Sequence, residues 1–145
     1  VYLVDTNIFL EALLEQEKVE NVRSFFQKVD LEDIYITDLA LHSIGILLFK
    51  FKKYSLFVSF LNDMVKNGMN IISLSTEELM ELNETVEEFN LDFDDAYQYL
   101  AAKNHHLQLV SFDKDFNRTD INRKEPQEIT EIEETNPIIE EEEEN

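Results

Sequence analysis

Four short apolar runs recur along the chain, Val1 to Val4, Ile34 to Ile36, Ile71 to Leu74 and Leu107 to Ser111. The stretches between them carry apolar residues at every third or fourth position. A run without polar alternation reads as a strand buried on both faces, and a helical stretch between two such runs has the length that a parallel crossover needs. The pattern therefore predicts an α/β fold with right-handed crossovers and a parallel sheet covered on both sides. Thr6 or Asn7 is placed as the cap of a first helix to about Glu15, and Val19, Val22, Phe26 and Val29 mark a second. A third helix is expected from Leu39 to about Phe51, and a fourth through Leu56, Phe60 and Met64 that stops at Asn67-Gly68. Ser75-Thr76-Glu77-Glu78 has the form of a capping start for a helix carrying Leu79, Leu82, Val86 and Phe89, and Asp92 starts another that ends near His105. A short fifth strand is expected between Ile121 and Ile129.

At 145 residues the chain suits one domain with a core that needs no covalent staple. The absence of Cys excludes disulfides, thiolate zinc sites and a cysteine nucleophile, and suits a reducing compartment. No apolar run approaches the roughly 18 residues that span a bilayer, and the first residues lack a basic region with a cleavage site, so a cytoplasmic protein without a membrane partner is expected. The net charge of -20 weighs against nucleic-acid binding, because phosphate contacts draw on Lys and Arg. Half of that excess lies after Lys124, where ten acidic residues occur with no Lys or Arg. Like-charge repulsion in the Glu140 to Glu144 run predicts a domain over residues 1–129 and a disordered acidic tail over 130–145.

Asp5 ends the first strand at its carboxyl end, where open α/β sheets place their ligand crevice. Asp92, Asp94 and Asp95 begin a helix, and Asp113 and Asp115 follow the fourth strand in Ser111-Phe112-Asp113-Lys114-Asp115-Phe116. Carboxylates converging on one crevice point to a hard divalent cation. Each also has a plainer role. Asp5 could cap the following helix, Asp92 fits an N-cap with Asp95 at the third helical position, Asp94 fits solvated first-turn charge, and an aspartate of the last loop could make an Asx-turn. His42, His105 and His106 are not in metal-ligand spacing. Lys50, Lys52 and Lys53, interleaved with Phe51 and Tyr54, together with Arg118, are candidate RNA contacts, and a charged helix junction is the alternative.

Asp5-Thr6-Asn7, Asp95-Ala96 and Ser111-Phe112-Asp113-Lys114-Asp115-Phe116, in this order and placement, resemble the PIN-domain family, in particular its small prokaryotic VapC-type members, over residues 1 to about 129. The resemblance implies a three-layer α/β/α sandwich with a five-stranded parallel sheet in the order 3-2-1-4-5. It implies a ribonuclease dependent on Mg2+ or Mn2+, with Asp5, Asp95 and Asp113 as catalytic carboxylates and Asp115 as a further metal ligand. Asn7, Ser111 and, in the helix after the second strand, Ser43 would order water or orient the carboxylates from behind. Single-stranded or structured RNA is the implied substrate, with an antitoxin protein and a second copy of the chain as candidate protein partners.

The chain departs from the family at one position. Catalytic PIN domains usually carry a Glu in the helix after the second strand, and here Ala40-Leu41-His42-Ser43-Ile44-Gly45 puts Ser43 in its place. Asp38 lies about 140° around that helix from Ser43 and is better placed as a cap. Two functions follow, a metal-dependent endoribonuclease, as the toxin of a toxin–antitoxin pair, and a PIN-fold module weakened in catalysis that binds RNA or protein.

Overall fold

The structure, a computed structural model, describes the backbone of residues 1–144 and the side chains of residues 1–135. Its strands are β1 (Tyr2–Val4), β2 (Ile34–Thr37), β3 (Asn70–Ile72) and β4 (Gln108–Val110), all parallel, in the order β3-β2-β1-β4. The helices are α1 (Thr6–Leu13), α2 (Val19–Lys28), α3 (Asp38–Lys50), α4 (Tyr54–Phe60), α5 (Thr76–Met80), α6 (Leu82–Phe89), α7 (Phe93–Asn104) and α8 (Pro126–Glu144). A π-helical turn over Leu61–Val65 extends α4.

Successive strand residues point to opposite faces, and each face has its own core. Val4 and Val110 join Ile8, Phe9, Phe25, Ile44, Leu48 and Phe60 on the side of α1 to α4 and α8. Leu3 and Leu109 join Leu82, Leu91, Tyr99, Leu100 and Phe116 on the side of α5 to α7. Val1 to Val4 has no polar alternation because both of its faces are covered.

The strand count is corrected here. The fifth strand does not form among the described residues; the sheet has four strands. Residues after Asn122 do run beside β4, with Lys124 N–H donating to the Leu109 carbonyl at 3.0 Å and Ser111 N–H to the Lys124 carbonyl at 3.0 Å, but the pairing is one isolated bridge, Val110 with Lys124. Pro126 ends it, since proline offers no N–H to a ladder and its fixed φ suits the first helical position. The tail expected over 130–145 falls in large part outside the described side chains; from Pro126 the backbone runs as α8, which crosses residue 129 and packs on α2. Ile129 is buried, and the Tyr2 hydroxyl donates to Glu133 Oε1 at 2.6 Å. The side chains of residues 136–144 and the whole of Asn145 lie outside the described residues. The helix expected after Ser75 is divided into α5 and α6, and its capping box is present, with Ser75 Oγ accepting from Glu78 N–H and Glu78 from Ser75 N–H.

Candidate functional site

The parallel strands deliver their following residues to one end of the sheet, and the carboxylates gather there. Asp5 directly follows β1 and is buried. It is itself the N-cap of α1, where Thr6 or Asn7 was expected, because its Oδ1 accepts the Thr6 N–H at 2.8 Å. Oδ1 also accepts from Gln98 Nε2 at 3.0 Å, and Oδ2 accepts from Ser111 Oγ at 2.7 Å. Two bonds fill Oδ1, so the free lone pair of this carboxylate is on Oδ2.

Ser111 is the hub behind Asp5. Its hydroxyl gives its proton to Asp5 and accepts from Asn7 Nδ2 at 3.3 Å and from Asp113 N–H at 3.0 Å. Asn7 Oδ1 in turn accepts the Phe112 N–H at 3.4 Å. On the other side, Gln98 Oε1 accepts from Thr37 Oγ1 at 2.7 Å, and Thr37 Oγ1 caps α3 by accepting the Ala40 N–H at 3.0 Å. Because Thr37 spends its only proton on Gln98, the amide oxygen must face Thr37 and the NH2 must face Asp5. Among the described residues no buried side-chain polar atom lacks a partner.

Asp95 comes from the first turn of α7, whose N-cap Asp92 accepts the Asp95 N–H at 2.9 Å. The capping role of Asp92 and the site role of Asp95 therefore coexist. One oxygen each of Asp95, Asp113 and Asp115 lie within 4.8 Å of one another. Asp113 Oδ1 also makes the Asx-type contact, accepting Asp115 N–H at 2.9 Å. Asp5 stands outside that trio but lines one cavity of about 230 Å³ with Asp95, Asp113, Asp94, Asn7 and Ser43. Burial raises the Asp95 carboxyl to a pKa of about 7, with further upward pushes from Asp113, Asp92, Asp5 and Asp115. Burial also raises Asp5, against the lowering hydrogen bonds of Gln98, Ser111 and Thr6 N–H.

These residues fit a hard divalent cation. The donors are all carboxylate oxygens, with no imidazole or sulfur beside them, and a separation of 4.8 Å or less is within reach of ligands about 2.0–2.6 Å from a shared Mg2+, Mn2+ or Ca2+. The carboxylates raise one another's charge cost, and a cation would relieve it.

Other expected positions fall differently. Ser43 does face the cavity, but its hydroxyl donates to the Leu39 carbonyl at 2.9 Å within α3. Asp38 is not at the site; it accepts the Leu39 N–H at 2.8 Å and the Tyr97 hydroxyl at 2.6 Å, while Thr37 is the cap. Arg118 is held by the carbonyls of Phe89 and Asn90 at 3.2 and 2.7 Å and by Asp115 at 3.2 Å. Lys50, Lys52 and Lys53 are exposed at the far end of α3, about 10 Å or more along its axis from Ser43. His42 is exposed, and His105 lies 3.5 Å from a Glu78 oxygen. Sequence reasoning missed Gln98 and Thr37. Gln98 lies three residues after Asp95, on the same helical side, and that spacing was its available signal.

The PIN domain family profile matches residues 2–122. No curated protein sequence matches the chain. Among solved structures, the Mycobacterium tuberculosis VapC20, a Sarcin-Ricin loop cleaving toxin, superposes with a TM-score of 0.74 at 13% identity, covering 87% of this chain and 100% of its own. A toxin-antitoxin complex from Klebsiella pneumoniae gives 0.68 at 19% identity, with 86% and 99% covered. FitAcB from Neisseria gonorrhoeae gives 0.66 at 20% identity, with 87% and 98% covered. The fold, the placement of Asp5, Asp95 and Asp113 at one end of the sheet, and the match over most of the length agree, and the chain belongs to the PIN-domain family.

Proposed function

We propose that the protein is an endoribonuclease dependent on Mg2+ or Mn2+ and acts as the toxin of a toxin–antitoxin pair, with Asp5, Asp95, Asp113 and Asp115 holding the cation. The observation that carries this reading is the meeting of Asp95, Asp113 and Asp115 oxygens within 4.8 Å, with Asp95 and Asp113 sharing a cavity with Asp5. The likeness to structures described as toxins and a toxin-antitoxin complex supports the biological half of the reading.

A bound divalent cation would supply charge neutralisation at a phosphate and activation of water. The chain's own part is positional. Gln98, Ser111 and the Thr6 N–H fix the Asp5 carboxylate at the cavity wall, and Asn7 and the Asp113 N–H are tied to the Ser111 hydroxyl. Asp95, raised to a pKa of about 7 by burial and its neighbouring carboxylates, would give up its proton as a cation binds.

The test is melting in manganese. Mn2+ should raise the melting temperature by mass action, and Asp113→Asn should remove the shift and any single-stranded RNA cleavage together. Unchanged melting across millimolar Mn2+ would falsify the metal reading. A second reading, a PIN module weakened in catalysis that binds RNA or protein, is favoured by Ser43, which faces the cavity without charge and spends its proton on Leu39.

A further inference from the structure

Next to the carboxylate cavity lies a larger cleft of about 510 Å³, and Asn7 and Leu10 line both. Leu10 of α1, Leu14 at its C-terminal cap, Leu47 of α3 and the half-buried Phe112 form its apolar lining. Phe112 sits between Ser111 and Asp113, and its backbone N–H is tied to Asn7 Oδ1, so its backbone is anchored to the carboxylate loop. Lys18, from the turn between α1 and α2, places Nζ 4.5 Å from the centre of that ring. Among the described residues it is the sole cation lining either space.

Two glutamates also line the cleft. Glu11 accepts the Lys18 backbone N–H and so pins the turn, while Glu17 is exposed. Net charge therefore does not draw phosphates into the cleft. A strand held here must gain its affinity from a base on an aromatic face, aided by one ammonium.

We propose that this cleft is a nucleotide subsite for single-stranded RNA, in which Phe112 stacks one base next to the phosphate at the carboxylates and Lys18 turns from the ring to a flanking phosphate. The proposal rests on the nuclease reading for its direction, since the shared wall at Asn7 and Leu10 makes the cleft the continuation of the carboxylate cavity. Stacking on a ring face tolerates any base, so the contact would position the strand more than read its sequence. The wall shared with the carboxylate cavity, where a phosphate would sit under the nuclease reading, favours a polynucleotide running through both spaces.

The experiment is fluorescence anisotropy in magnesium with labelled 2′-O-methyl oligoadenylate, which resists cleavage, and with an abasic strand of the same length. The wild-type protein should bind oligoadenylate about tenfold more tightly than the abasic strand, within the range of one stacked base. Phe112→Leu, or Phe112→Met should that variant melt early, should bring the ratio close to one. Lys18→Gln should weaken both strands alike and reduce the salt slope by about 0.7, the share of one phosphate contact on a single strand. A wild-type ratio near one, or a ratio that survives the loss of the ring, overturns the subsite, and a cleft serving a protein partner would give that result. Manganese melting is scored separately. Intact stabilisation by Mn2+ with a ratio of one removes the subsite and leaves the nuclease reading, whereas the stacking ratio without Mn2+ stabilisation removes the nuclease reading alone.

Discussion

Asp95 bears the site's electrostatic conflict, because it is partly buried, sits at a helix start that favours negative charge, and faces three other carboxylates besides Asp92. Its pKa of about 7 in the folded protein is above the ordinary carboxylate value, so between about pH 4 and 7 the folded state holds a proton that the unfolded state has lost. Without divalent cation this group favours folding most at the acidic end of that window. Its contribution is lost as pH rises through 7. Melting temperature measured in EDTA should therefore fall more steeply from pH 5 to 8 in the wild-type protein than in Asp95→Asn, about one proton's worth of slope separating them. With Mn2+ present the sign reverses, since the cation displaces that proton, and stabilisation by Mn2+ should grow up to about pH 7 and then level off. Equal slopes in EDTA for the two proteins would mean that Asp95 titrates as an ordinary surface carboxylate.

Helix α3 brings Ser43 to the cavity wall, and it shows what an element contributes beyond its residues. Thr37 caps the helix and also holds Gln98 against Asp5, so the start of α3 and the Asp5 carboxylate share one hydrogen-bonded chain. Ser43→Glu would put a carboxylate into the space that Asp5, Asp95 and Asp113 already line. It should lower the melting temperature in EDTA by charge repulsion and tighten Mn2+ at least about tenfold, the lower end of what even partners behind a ligand contribute. Opposite shifts in the two conditions, read by melting and titration calorimetry, identify position 43 as a ligand position. A variant that melts lower in both would place the new carboxylate away from the cation. The strands and most helices were legible in the sequence because apolar period reports burial, and Asp5, Asp95 and Asp113 could be placed around one crevice because the strand ends of a parallel sheet share one edge. Gln98, Thr37, Lys18 and Phe112 were not, since their roles depend on contacts between segments far apart in sequence. The fifth strand failed for a local reason, the turn into helix at Pro126, and α8 was hidden because the charge of its later turns masks the few apolar residues, Ile129 among them, that dock its beginning.

Over the whole molecule, half of the -20 charge follows Lys124, yet that segment also contributes to the core. Ile129 is buried with Val22 and Phe25, Thr130 is buried, and Glu133 accepts the Tyr2 hydroxyl, so α8 is docked at least through residue 133. Two truncations separate docking from charge. A chain ending at Thr135 keeps every one of these contacts and should melt like the full chain, whereas one ending at Glu128 exposes the Val22–Phe25 surface and loses Ile129. The second loss should be about 2 kcal/mol or more, as for other fully buried aliphatic side chains. The shorter deletion also removes Glu140 to Glu144, five negative charges that repel a polynucleotide approaching Lys18 or the Lys50 to Lys53 cluster. RNA affinity of the chain ending at Thr135 should therefore exceed that of the full chain at low salt and converge with it as the Debye length falls from about 30 Å at 0.01 M to about 8 Å at physiological ionic strength. A gain that persists undiminished at high salt would point to direct contact of the acidic run with the RNA surface. No gain at any ionic strength would make the run irrelevant to binding. A chain ending at Thr135 that melts well below the full protein would show that the later turns of α8 carry part of the docking.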